Sequence, residues 1–153
     1  MPCRLVIKEG YVEMKRERIV APNAPSAIGP YSQAVRVGSL VFVSGQVPLD
    51  PSTGQLVEGD IGTQTERAIQ NIEAILEAAG LGLKNVVKTT VFLTDINEFP
   101  VVNEVYARYF GDSLPARSAV QVAGLPKGAR VEIEAIAWDP GHGKEGVAGK
   151  TSQ

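Results

Sequence analysis

The chain has 153 residues, 44% of them apolar and 21% charged, the balance of one ordinary globular domain with enough apolar side chains for a core. Its formal net charge of −2 gives no global attraction to nucleic acid, which is not expected as a partner. A single cysteine, Cys3, and a single histidine, His142, supply neither a disulfide framework nor an ordinary zinc site, and no metal or other cofactor is expected.

Residues 1–14 read as an N-terminal extension, either a short extra strand around Leu5-Val6-Ile7 or translated upstream sequence, to which no function is attached. Residues 15–139 read as a single domain. No apolar run approaches the roughly 18 to 20 residues a membrane helix requires, and no charged-then-apolar signal opens the chain, so a cytoplasmic protein without a membrane partner is expected. Ala21 to Ala34 is a loop in which Pro22, Pro25, Gly29 and Pro30 restrict the backbone. Such a loop presents Tyr31 in a fixed place for binding, the plainer alternative being that Tyr31 closes the core edge.

Val35-Arg36-Val37 and Leu40 to Gln46 flank Gly38-Ser39 and read as a hairpin. Asp50 to Gly54 is a turn. Ile61, Thr65, Ala68, Ile69, Ile72, Ile75, Leu76 and Ala79 recur at helical spacing up to a stop at Gly80. Val86 to Thr94, dense in β-branched residues, reads as a central strand. Asn97 to Tyr109 reads as a second helix, with Phe99, Val102 and Tyr106 for packing and Gly111 as its stop.

Pro115 to Pro126 and Val131 to Ala137 carry period-two patterns around a Gly/Pro connection and read as a second hairpin. Val131, Ile133, Ala135 and Ala137 fall on one face, which leaves Glu132 and Glu134 on the other beside Ile136 and Trp138. Arg117 offers a planar fork of donors that grips a carboxylate or phosphate with two hydrogen bonds. An Arg and a Glu on neighbouring strands make a small site for an anionic substrate; the plainer reading is a strand-end ion pair with solvated glutamates. After Trp138-Asp139-Pro140 the chain is rich in Gly and Lys without apolar periodicity, so residues 140–153 are expected to be a disordered tail.

The resulting order of three strands, helix, strand, helix and two strands predicts an α+β fold, a mixed sheet of about six strands with two helices on one face. The other face is partly apolar, which favours burial in a homo-oligomer with sites in the clefts between subunits. With His142 in the tail, the folded body has no histidine for a Ser-His-Asp or Cys-His arrangement or for a paired-histidine ribonuclease. Gly141-His142-Gly143-Lys144 lacks the strand, hydroxyl residue and helix of a phosphate loop.

Ala27-Ile28-Gly29-Pro30-Tyr31-Ser32-Gln33-Ala34, Ser44-Gly45-Gln46, Lys88-Thr89-Thr90-Val91-Phe92-Leu93, Val102-Asn103, Pro115-Ala116-Arg117-Ser118 and Ile133-Glu134-Ala135-Ile136-Ala137 resemble the RidA/YjgF family, in order and spacing, from about Lys15 to Trp138. The resemblance implies a chorismate-mutase-like α+β fold and a homotrimer with three inter-subunit ligand sites. It also implies metal-free hydrolysis of reactive enamines and imines of the 2-aminoacrylate type to 2-keto acids and ammonia, the chemistry of a 2-iminobutanoate/2-iminopropanoate deaminase. Arg117, in the block that distinguishes the arginine-bearing branch, would clamp the substrate carboxylate, and Glu132 would hold and polarise the attacking water. Ala119 would contact the substrate through its backbone, Tyr31 would close the pocket, and Ser44 and Asn103 would complete its polar lining. Many relatives carry Cys or Thr where this chain has Ala119. Two rivals stay open: a 2-keto acid-binding sensor or chaperone-like trimer without turnover, which would use the same Arg117 cleft without needing Glu132, and a ribonuclease or translation inhibitor.

Overall fold

The computed structural model describes residues 15–142. Eight principal elements follow in order: strands β1 (Arg16–Ile19), β2 (Ala34–Val37) and β3 (Leu40–Gln46), helix α1 (Ile61–Ala78), strand β4 (Val86–Leu93), helix α2 (Phe99–Phe110), and strands β5 (Ala116–Gln121) and β6 (Val131–Trp138). The strands form one sheet in the order β1-β2-β3-β6-β4-β5. The six-stranded α+β architecture expected from the sequence is the one observed.

Helix α1 starts where the Asp60 carboxylate accepts the Thr63 N–H at 2.9 Å, and Asp60 is held below the usual carboxylate range by these Thr63 hydrogen bonds. Its buried stripe of Ile61, Thr65, Ala68, Ile69, Ile72, Ile75 and Leu76 is the one the periodicity predicts. It ends at Ala78, and two residues on Gly80 turns the chain away at a φ of 77°, open to glycine without strain. Pro100 opens α2, which buries Val102, Val105, Tyr106 and Phe110. Both helices pack on the sheet face that carries Val41, Val43, Val91, Leu93, Val131, Ile133, Ala135 and Ala137, and this layer is the core.

Among the described residues no helix covers the opposite face. Across the ladder Leu40 lies opposite Val37 and Trp138, and Phe42 lies opposite Val35 and Ile136. Phe42 is 43% exposed and Trp138 50% exposed, so the apolar stripe expected on the bare face is present.

The pairing expected for the last two strands is corrected. β5 and β6 do not form a hairpin: β5 runs parallel to β4 at the edge of the sheet, and β6 inserts antiparallel between β3 and β4. A parallel pair joined through a helix, here β4-α2-β5, must cross over, and the Gly/Pro connection then carries the chain past β4. Arg117 and Glu132 are therefore not on neighbouring strands. The second helix also begins later than its pattern suggests, after a single 3₁₀ turn at Ile96–Glu98. Pro140, Gly141 and His142 belong to a turn in which the Asp139 carboxylate accepts the Gly141 N–H at 2.9 Å. The readings made for residues 1–14 and 143–153 lie outside the described residues. Among the described residues no helix is long and apolar enough to cross a membrane.

Candidate functional site

Arg117 sits on edge strand β5 opposite Thr89 of β4, on the face that packs against α2. Its guanidinium carbon lies 5.1 Å from the Phe99 ring centroid and 4.7 Å from that of Tyr106, both within cation–π range. The Nη1 group donates to Asn103 Oδ1 at 2.8 Å. Tyr106 is itself fixed, its hydroxyl 2.7 Å from the buried Thr89 Oγ1, and burial pushes the phenol above its ordinary range. Phe99 and Tyr106 read from sequence as packing residues; in the structure they also form a cradle for the arginine. Among the described residues no carboxylate lies within ion-pair distance of Arg117. The strand-end ion pair is thus not formed, and an exposed guanidinium is held in one orientation beside a cavity of about 360 Å³ lined in part by Asn103, Tyr106 and Pro115. Ala119, two residues on along β5, packs its side chain against the core from this same face.

Glu132 faces the other way. It lies opposite Phe92 on the helix-free face, partly buried, and its carboxylate occupies the space above Gly45. A Cβ on Gly45 would come within 2.9 Å of Glu132 Cδ, so only glycine fits beneath the carboxylate without moving it. The ladder between β3 and β6 shifts register between Val43 and Gln46, a bulge that brings Ser44 and Gly45 to this position. Burial, reinforced by the neighbouring Glu134, raises the Glu132 carboxyl above the ordinary carboxylate range. Glu132 has no hydrogen-bond partner among the described residues. Its demand for a glycine was legible only as a glycine inside a strand.

Tyr31 and Ser44 stand at the opposite side of the sheet from Arg117. The Ser44 hydroxyl donates to the Ser32 carbonyl at 2.6 Å. The Tyr31 loop is tied down by the buried Gln33, whose Oε1 accepts from Ala21 N at 2.7 Å and whose Nε2 donates to Pro25 O at 2.8 Å. Gly29, at a φ of 117°, lets the chain turn tightly enough for Tyr31 N to donate to the Gly29 carbonyl at 3.0 Å. Tyr31 is 50% exposed, a presented side chain rather than a core-closing one.

The six expected residues therefore fall into two groups: Asn103, Arg117 and Ala119 on the helix-side edge, and Tyr31, Ser44 and Glu132 on the open face. β6 and β4 separate Ser44 on β3 from β5, about 14 Å at the usual strand spacing. A small ligand cannot touch both groups in one protomer. Among the described residues no group of three or more His, Cys, Asp or Glu is placed to hold a metal ion.

A mixed sheet with two helices on one face, an edge arginine cradled by two aromatic rings and a glutamate seated over a strand glycine defines an α+β protein of the L-PSP type. Over residues 21–138 the chain matches the family model described as Endoribonuclease L-PSP, and it belongs to that family, the RidA/YjgF family. It is 58% identical over 122 residues to the mouse protein named 2-iminobutanoate/2-iminopropanoate deaminase, covering 80% of this chain and 90% of that one. A RutC family protein of Pyrococcus abyssi is 57% identical over 125 residues, 82% of this chain and 98% of its own. Among solved structures, E. coli TdcF with bound serine matches at a TM-score of 0.76 with 47% identity, over 80% of this chain and 98% of that one.

Proposed function

We propose that the protein is a 2-iminobutanoate/2-iminopropanoate deaminase that hydrolyses 2-imino acids and their enamine tautomers to 2-keto acids and ammonia, at sites shared between subunits of a homotrimer. The observation that carries this reading is Arg117: a guanidinium oriented by Phe99, Tyr106 and Asn103, with no carboxylate at ion-pair distance among the described residues. The names of the mouse and human relatives, 58% and 55% identical, support the same chemistry.

In the proposed mechanism Arg117 of one subunit holds the substrate carboxylate with two hydrogen bonds, and the Ala119 backbone fixes the nitrogen side. Ala in place of Cys or Thr is tolerable because the Ala119 side chain packs on the core and only its backbone is called upon. The adjoining subunit supplies Tyr31 to close the pocket, Ser44 to line it and Glu132 to hold water. Water adds to the electrophilic C=N carbon while Glu132 accepts its proton. The carboxyl passes that proton to nitrogen, completing the carbinolamine; it then takes the carbinolamine hydroxyl proton and delivers it to the amino group as the C–N bond breaks, which leaves a 2-keto acid and ammonia. A carboxyl held above its ordinary range is a stronger base once ionised, which suits this step. The cytoplasm, where amino-acid-degrading enzymes release such imines, is the proposed location.

The test is pyruvate formation from 2-aminoacrylate generated in situ by a serine dehydratase. Wild type is expected to accelerate it, and Arg117→Ala to lose roughly 30-fold to several thousand-fold in substrate capture, the effect of removing a charge-assisted bidentate contact. No acceleration by folded wild type moves the reading to a keto-acid sensor; equal acceleration by the variant removes Arg117 from the site.

A further inference from the structure

An open groove of about 630 Å³ runs along the β1-β2-β3 side of the sheet, with Tyr31, Ser44 and Phe42 in its wall. Volumes of this size hold ligands considerably larger than a short-chain imino acid. Two further residues line it, Arg16 and Arg18, and neither belongs to the motifs that identify the family. On β1 they lie opposite Val37 and Val35 of β2, whose neighbours Ala34 and Arg36 are buried. Both arginines thus belong to the helix-free face, the face of Glu132.

Arg18 is anchored to the Ser44 wall rather than loosely solvated. Its Nε donates to Ser32 Oγ at 3.1 Å, and the carbonyl of the same Ser32 accepts the Ser44 hydroxyl at 2.6 Å. Ser32 therefore fixes Arg18 relative to Ser44, one residue from Tyr31. Tethering through Nε leaves both Nη groups, which have no hydrogen-bond or ion-pair partner among the described residues. That pair of donors is the half of the fork that takes a carboxylate bidentately.

We infer that Arg18, backed by Arg16, is a second anion subsite, and that the groove takes 2-imino and 2-keto acids carrying a further carboxylate at the end of the side chain. This rests on the proposed reading that Tyr31 and Ser44 line the substrate pocket. Arg117 of one subunit holds the α-carboxylate, the reacting carbon lies near Glu132, and the distal carboxylate extends along the groove to Arg18.

The test separates affinity from turnover. Calorimetric titration of the intact protein with 2-oxoglutarate and 2-oxobutanoate, at one fixed ionic strength, gives a dicarboxylate-to-monocarboxylate affinity ratio. That ratio is expected to be about tenfold in wild type, to collapse towards unity in Arg18→Ala, and to persist in Lys84→Ala, which removes an exposed positive charge elsewhere. A wild-type ratio of unity, a ratio unchanged in Arg18→Ala, or equal falls in both variants overturns the subsite. Hydrolysis of the imines formed in situ from glutamate and alanine is followed in parallel. Turnover without the affinity ratio refutes Arg18 and keeps the deaminase; the ratio without turnover keeps Arg18 and refutes the deaminase.

Discussion

Glu132 shows how one residue ties folding to chemistry. Its carboxyl is raised by burial first and by Glu134 second. In the unfolded chain the group ionises near its reference value of 4.5, and in the folded protein only at higher pH. Between those two values the native state binds the extra proton, so stability falls as pH rises through the window. Glu132→Gln removes that loss. Thermal melts are expected to show the variant more stable than wild type at pH 7, with the difference gone below about pH 4, where both states are protonated. Activity is expected to run in the opposite sense, because in the proposed mechanism the ionised carboxylate is the base. kcat/KM is expected to rise with pH along a limb that reports Glu132, while Glu132→Gln loses the limb and about 10²- to 10⁴-fold in rate. A limb that survives in the variant assigns the base elsewhere.

At the scale of elements, the proposed site depends on the β3 bulge. The register shift places Gly45 beneath Glu132, and any side chain there meets the carboxylate. Gly45→Ala is expected to fold and assemble, since the obstacle is the end of a side chain on an open face, but to displace Glu132 and lower kcat well over tenfold. A variant with unchanged kcat shows that the carboxylate position is not critical. Helices and strands are legible because their information is local: the alternation of β6 appears residue for residue in the buried pattern, and so does the α1 stripe from Ile61 to Leu76, to which the fold adds the buried Gln64 and Asn71. β5 is legible as a strand but its pairing is not, because two alternating runs around Gly124 and Pro126 look the same whether they pair or straddle a third strand. Only the helix crossover from β4 decides between them. Arg117 and Glu132 were recognisable as residue types out of place in apolar strands. Their separation onto opposite faces was not, because it follows from the position of β4. The meaning of Gly45 likewise depends on its register against β6, far away in sequence.

At the scale of the whole molecule, the division of the site becomes an argument about assembly. One protomer presents Arg117 at the β5 edge and Glu132 over β3 on the other face, while Phe42 and Trp138 lie exposed beside the second group. An apolar sheet face left open costs hydration free energy that a symmetric partner would recover, and a cleft formed there brings the edge of one copy to the open face of the next. If each site takes Arg117 from one subunit and Glu132 from its neighbour, two inactive variants must complement. Arg117→Ala and Glu132→Gln, each inactive alone, are to be unfolded together in equal amounts and refolded. Random assembly then leaves about a quarter of the clefts with both native residues, and about a quarter of wild-type activity is expected to return. Variants refolded separately and mixed afterwards serve as the control, with recovery only as fast as subunits exchange. Absence of recovery in a properly assembled mixture places both residues in the same subunit's site, and with them the deaminase chemistry would have to be rebuilt around a single protomer.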